Sequence, residues 1–122
     1  MSKKILIIDD ESSDRKAMSI ALGKAGYTEI MVADNGSAGV DLAEAFHPDI
    51  IIIDIVLQDT DGFDVCDRIT SMKKIHALII MITGHLDAIN VQKARKSGAN
   101  EIIEKTASFE NIAKTIDNLL KR

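Results

Sequence analysis

Residues 50–54 read Ile-Ile-Ile-Ile-Asp, four aliphatic side chains that end on a carboxylate. A continuous apolar run without polar alternation suits a strand covered on both faces. Three further runs end in the same manner. Ile5-Leu6-Ile7-Ile8 leads into Asp9-Asp10, Leu78-Ile79-Ile80-Met81-Ile82 into Thr83, and Ile102-Ile103-Glu104 into Lys105. In an open parallel sheet, ligands bind outside the carboxyl ends of the strands. If these runs are parallel strands, one sheet edge collects three carboxylates, a hydroxyl and an ammonium. That set suits the holding of a divalent cation and the movement of a phosphoryl group.

A chain of 122 residues suits one domain with one core, here residues 1–122. Its hydrophobic fraction is 46% and its aromatic fraction only 3%, so the core must be aliphatic. The longest strongly apolar run, Ala77 to Ile82, falls far short of the roughly 20 residues of a membrane span. Met1-Ser2-Lys3-Lys4 is basic, but the apolar stretch behind it is too short for a signal-peptide core. A single cysteine, Cys66, forbids an internal disulfide and fits a reducing, cytoplasmic compartment. It falls on the inward stripe of a predicted helix, where a buried structural thiol is expected. A net charge of -4 with dispersed basic residues argues against a nucleic-acid groove.

Between apolar runs near 5–8, 30–33, 50–53, 78–82 and 102–103 lie amphipathic segments. The last is the clearest, with Phe109, Ile112, Ala113, Ile116, Leu119 and Leu120 at helical spacing and Ser108 placed to cap it. Residues 62–73 align Phe63, Cys66, Ile69 and Met72, and residues 36–46 align Leu42, Ala43 and Phe46. Residues 12–25 carry Ala17, Ile20, Ala21 and Ala25, and residues 87–97 carry Val91 and Ala94. Gly23, Gly26 and Gly98 fall near helix ends, where positive φ is useful. Pro48 precedes the third strand, where a missing N–H is tolerated. Five strands alternating with five helices predict an α/β, three-layer, doubly wound (βα)5 sandwich. Fold precedent supplies the flavodoxin-like order 2-1-3-4-5 for its parallel five-stranded sheet.

In that order Asp9 and Asp10 lie beside Asp54, about 5 Å away across adjacent strands. One carboxylate pair at 4 Å costs roughly 4 kcal/mol at an effective dielectric of 20. A proton or a cation must offset this, and Mg²⁺ takes oxygen ligands and bridges carboxylates to phosphate. Thr83 falls on the other side of Asp54. Lys105 lies two strand spacings off, roughly 10 Å, much of which a lysine stem can span.

The chain resembles the receiver domain of two-component response regulators from end to end. The resemblance is carried by Ile5–Glu11, by His47-Pro48-Asp49 leading into Ile50–Asp54, by Asp61-Gly62, by Ile82-Thr83-Gly84, and by Ser97-Gly98-Ala99 followed by Lys105. It implies that Asp54 is the phosphoacceptor, attacking a phosphohistidine on a sensor histidine kinase or a histidine phosphotransfer protein. It implies that Asp10, Asp54 and the Val56 carbonyl ligate Mg²⁺, with Asp9 acting mainly through water. Thr83 and Lys105 would contact the phosphoryl oxygens and bias a two-state switch. The readout would be the surface of the fourth helix, fifth strand and fifth helix, presented to a downstream target protein or fused output domain. The first helix and Thr106-Ala107-Ser108 would form the docking surface.

The chain departs from the family pattern at several positions. Thr106 follows Lys105 where the family has proline in a cis bond; a non-proline cis peptide costs about 3–4 kcal/mol, so trans, or a strained exception, is expected. Gln58 stands at another proline position. Ile102 replaces the switch aromatic, which removes the usual rotamer readout. Val56 offers no acid or amide to orient a water, which predicts a long-lived phosphoryl group. His85 is either a solvated loop residue or a modulator. An interaction module that works without phosphorylation is the main alternative. A dehalogenase-type phosphatase would need an acid at position 56. A flavin carrier would meet Asp9–Ser13 where its phosphate needs donors. No G-x-x-x-x-G-K-[ST] loop is present.

Overall fold

The computed structural model describes residues 3–122. Its elements alternate without exception: β1 (Lys4–Ile8), α1 (Ser12–Lys24), β2 (Glu29–Ala33), α2 (Gly36–Phe46), β3 (Ile50–Asp54), α3 (Gly62–Thr70), β4 (Leu78–Thr83), α4 (Ala88–Lys96), β5 (Glu101–Glu104) and α5 (Glu110–Leu120). All strand pairs are parallel, in the order β2-β1-β3-β4-β5. This is the doubly wound, flavodoxin-like (βα)5 sandwich read from the sequence.

Alternation along the strands divides the core in two. Ile5, Ile7, Ile50, Ile52, Ile80 and Ile82 pack against Met18 and Leu22 of α1 and Ile112, Ile116 and Leu119 of α5. Leu6, Ile8, Ile51, Ile53, Ile79 and Met81 pack against Val40 and Ala43 of α2, Val65, Cys66 and Ile69 of α3, and Ala94 of α4. Isoleucine is stiff at χ1 and suits a pleated surface, so an isoleucine-rich sheet loses little side-chain entropy when it forms. Full burial of one such side chain contributes about 1.5–3 kcal/mol. Ile5–Ile8 and Ile50–Ile53 are wholly buried, so the two strands bearing the acidic residues are firmly anchored.

Four sequence expectations are corrected. The run at 30–33 lies at the sheet edge, as the predicted order has it, but is not covered on both faces; Met31 and Val32 stay 37% and 45% exposed. On α1 the buried stripe is Met18 and Leu22 with Ala17 and Ala21 beside it, while Ile20 is 54% exposed. Both sets have helical spacing, and the bulkier pair sets the inward direction. Gly23 lies inside α1, and of the three glycines only Gly26 and Gly98 take positive φ. The residue preceding α5 is Phe109, not Ser108; it takes a left-handed conformation at φ 55 without a side-chain cap. A bulky residue in that region costs roughly 1–2 kcal/mol. Burial of the Phe109 ring among Ile112 and Ile116 offsets this, and Ser108 is left in solvent.

Candidate active site

Parallel register places the strand ends. Ile8 pairs with Ile53, so Asp9 and Asp54 emerge side by side at the carboxyl edge. Asp54 pairs with Ile82 of β4, and Thr83 with Glu104 of β5. The backbone N–H of Lys105 donates to the carbonyl of Thr83 at 2.8 Å, which extends the β4–β5 ladder by one residue. The peptide bonds of the described residues are all trans, Lys105–Thr106 included.

The acids converge as expected. Asp9, Asp10 and Asp54 each offer an oxygen, and these atoms lie within 4.8 Å of one another. Asp9 is fully buried and Asp54 is 4% exposed. The lysine stem spans the sheet edge, bringing Lys105 Nζ to 2.7 Å from Asp54 Oδ2 and 3.4 Å from Asp9 Oδ2. Asp54 Oδ1 accepts the N–H of Val56 at 2.9 Å, fixing the carboxylate rotamer from its own loop. Asp9 Oδ1 accepts the N–H of Glu11 at 2.9 Å, and Arg15 donates to the Asp9 carbonyl at 2.8 Å.

Asp9 Oδ2 is buried and accepts no hydrogen bond, and the Lys105 ammonium 3.4 Å away is bonded to Asp54 and Asp14 instead. A buried carboxylate oxygen left in that condition is costly unless a cation faces it. Burial pushes the Asp9 carboxyl up, the Glu11 N–H opposes the rise, and the neighbouring Asp54 charge adds to it; the result is about 6. For Lys105 burial favours the neutral amine. Hydrogen bonds to Asp14 and Asp54, and the charges of Asp54 and Asp9, outweigh burial and hold the ammonium above the usual lysine range. An all-oxygen acidic donor set with an unsatisfied buried oxygen fits a hard divalent cation.

Loop geometry supports the site. Asp59 accepts the N–H groups of Gly36 and Ser37 at 2.8 and 2.9 Å, tying the β3–α3 loop to the start of α2. These bonds hold its carboxyl below the usual range. Gly62 lies against the Asp54 carbonyl, and a Cβ there would overlap backbone atoms of Asp54 and Ile55. Val56 is exposed and bridges Asp61 across the loop. The Thr83 hydroxyl is buried but engaged locally, donating to the His85 carbonyl at 3.0 Å and accepting its N–H at 3.2 Å. The His85 side chain is 85% exposed. Ile102 packs under α4 with Met81 and Ala94. Cys66 is buried, donates to the Ser97 carbonyl, and its thiol is pushed by burial up to about 12, which fits a structural role.

Sequence reasoning missed Asp14. It lies in the first turn of α1, and its Oδ2 is 2.7 Å from Lys105 Nζ. An acid in a first turn is ordinarily explained by the helix dipole. The one available signal was its position, a helical turn beyond Asp10, which returns it to the acidic end of the molecule.

Comparison with known proteins agrees with this geometry. The crystal structure of the signal receiver domain of a DNA-binding response regulator from Colwellia psychrerythraea superposes with a TM-score of 0.88 at 29% identity, covering 99% of this chain and all of that one. Chemotaxis protein CheY4 of Vibrio cholerae gives 0.90 at 26% identity, covering 97% of this chain and 98% of that one. In sequence, a probable transcriptional regulator, ycf27, of Cyanophora paradoxa is 30% identical over 98% of this chain and 49% of its own length. The regulatory protein AfsQ1 of Streptomyces coelicolor is 30% identical over 97% of this chain and 51% of its length. The chain spans about half the length of the curated relatives it matches. The profile of the response regulator receiver domain covers residues 5–117, the span from the first buried strand into α5. With that match lying over the acidic cluster and its lysine, the chain belongs to the response regulator receiver domain family.

Proposed function

We propose that residues 1–122 form a single phosphoacceptor domain in which Asp54 takes a phosphoryl group from a phosphohistidine. The donor is a sensor histidine kinase or a histidine phosphotransfer protein in the cytoplasm. The observation that carries this reading is the pairing of a buried carboxylate, Asp54, with an ammonium at 2.7 Å beside two further acids. A site of this kind serves the domain's own phosphoryl gain and loss rather than turnover of a free substrate.

In the proposed reaction an Asp54 carboxylate oxygen attacks phosphorus. The phosphorus–nitrogen bond breaks, its electron pair returns to the imidazole, and Asp54 becomes an acyl phosphate. Asp10, Asp54 and the Val56 carbonyl would hold Mg²⁺ directly, and Asp9 through water. The bound ion supplies charge neutralisation for the phosphoryl oxygens. Lys105 is already at the acceptor and needs only a small adjustment to pair with a phosphoryl oxygen. Thr83 must give up its bonds to His85 to reach another, and that exchange would couple phosphorylation to the β4–α4 loop. Output then passes through α4, β5 and α5 to a target protein or a fused output domain, with no nucleic acid or membrane contacted directly. Among the described residues no helix is long and apolar enough to cross a membrane.

Intact-mass measurement after incubation with acetyl phosphate, with and without Mg²⁺, tests the reading. One metal-dependent phosphoryl adduct is expected. No adduct, under conditions that label an established receiver, would favour an interaction module without phosphorylation. Labelling indifferent to metal would count against the roles of Asp9 and Asp10.

A further inference from the structure

Lys105 divides its ammonium between two carboxylates held by different elements. Asp54, at the end of β3, and Asp14, in the first turn of α1, each stand 2.7 Å from Nζ. The Asp54 side chain is 6% exposed and that of Asp9 wholly buried, whereas Asp14 keeps 27%. Asp14 is thus the most solvent-facing carboxylate that Lys105 touches. Its carboxylate stands one ammonium away from the acceptor oxygen.

A phosphodonor must bring its own negative charge to an acceptor whose ammonium is already shared with that carboxylate. The product adds a phosphoryl anion at Asp54, beside the same ammonium. Lys105 has three N–H groups and can bond both neighbours, but one positive charge cannot neutralise a carboxylate and a phosphoryl group together. The remaining repulsion acts at short range in a partly buried site, where water and salt screen it incompletely.

We propose that Asp14 is a specificity-determining residue of the phosphoacceptor site. From α1 its carboxylate shares Lys105 with Asp54 and selects against free phosphodonors in proportion to their negative charge. This rests on the phosphoacceptor reading above, and the test separates the two.

Wild type, Asp14→Asn and Asp14→Glu are labelled at neutral pH, low ionic strength and saturating Mg²⁺, and followed by intact mass. Two donors are used: acetyl phosphate, a dianion, and phosphoramidate, a monoanion. In both, an Asp54 oxygen attacks phosphorus. From acetyl phosphate the phosphorus–oxygen bond breaks and acetate leaves with the electron pair. From phosphoramidate the phosphorus–nitrogen bond breaks and the protonated nitrogen leaves as ammonia.

Asp14→Asn is expected to label at least about threefold faster than wild type with acetyl phosphate. Its gain with phosphoramidate should be no more than half as large, and added salt should shrink both. Asp14→Glu, which keeps the charge, should keep the wild-type ratio of the two donors' labelling rates whatever its absolute rate, and thermal melts confirm that each variant is folded. Equal changes with the two donors, slower labelling with both, or no change would overturn the inference while leaving Asp54 as acceptor. A wild type that labels with neither donor would overturn the phosphoacceptor reading and this inference with it.

Discussion

Lys105→Met keeps the length of the side chain and removes its charge from among four carboxylates. The ammonium lies 2.7 Å from Asp54 and Asp14 and 3.4 Å from Asp9, with Asp10 in the same cluster. At an effective dielectric of 20, each 2.7 Å contact amounts to roughly 6 kcal/mol of gross attraction. Desolvation offsets most of that, and breaking a buried pair by removing one partner typically costs about 3–5 kcal/mol. Lys105 retains 19% of its side-chain exposure, which points to the lower end, about 3 kcal/mol. Urea denaturation followed by circular dichroism, at pH 7 with a chelator, measures it. Millimolar Mg²⁺ should restore much of the loss, because a divalent cation relieves the same repulsion. A loss below about 1 kcal/mol, or a loss that Mg²⁺ leaves untouched, would refute the reasoning that these acids need a cation.

Three other expectations follow from the same geometry. The Asp9 carboxyl is raised from 3.8 to about 6, so the folded protein binds more protons than the unfolded chain between those values. Stability without metal should therefore fall as pH rises through that window, by about 3 kcal/mol from this group, and Mg²⁺ should stabilise more at pH 7 than at pH 4.5. Urea melts across pH with chelator or Mg²⁺ check both signs. Gly62→Ala would drive a methyl group into the backbone of Asp54 and Ile55, which has no rotamer to yield. A loss of about 1–3 kcal/mol, with slower phosphodonor labelling, is expected from denaturation and intact mass. Cys66, buried with its thiol pushed to about 12, should resist iodoacetamide at pH 8 in the native protein and react in urea.

The alternation of runs and amphipathic segments was enough to read the sheet, because buried parallel strands need unbroken aliphatic sequence and few other structures do. The placement of Asp9, Asp10, Asp54 and Lys105 was legible for the same reason: a strand's last residue goes where its register sends it. Thr83 was placed at the correct strand end, but its bonds to His85 depend on loop geometry that no periodicity encodes. The exposure of Met31 and Val32 was hidden, since Ile30–Val32 looks like any buried run; the expected strand order already put β2 at the edge, but periodicity alone does not carry that consequence. Phe109 displaced Ser108 because ring burial outweighed capping preference, a tertiary gain invisible to a local rule. Asp14 was overlooked because a first-turn acid already has a sufficient local explanation. Its contact with Lys105 spans two elements distant in sequence.

Reductive trapping locates the phosphoryl group most directly. After labelling with acetyl phosphate and Mg²⁺, borohydride converts an aspartyl phosphate to homoserine, and peptide mass spectrometry reads its position. Homoserine at residue 54, absent in Asp54→Asn, is the expected result. Homoserine at Asp9, Asp10 or Asp14 instead, or at no acid while the protein still carries a phosphoryl adduct, would contradict the assignment of Asp54 as the acceptor.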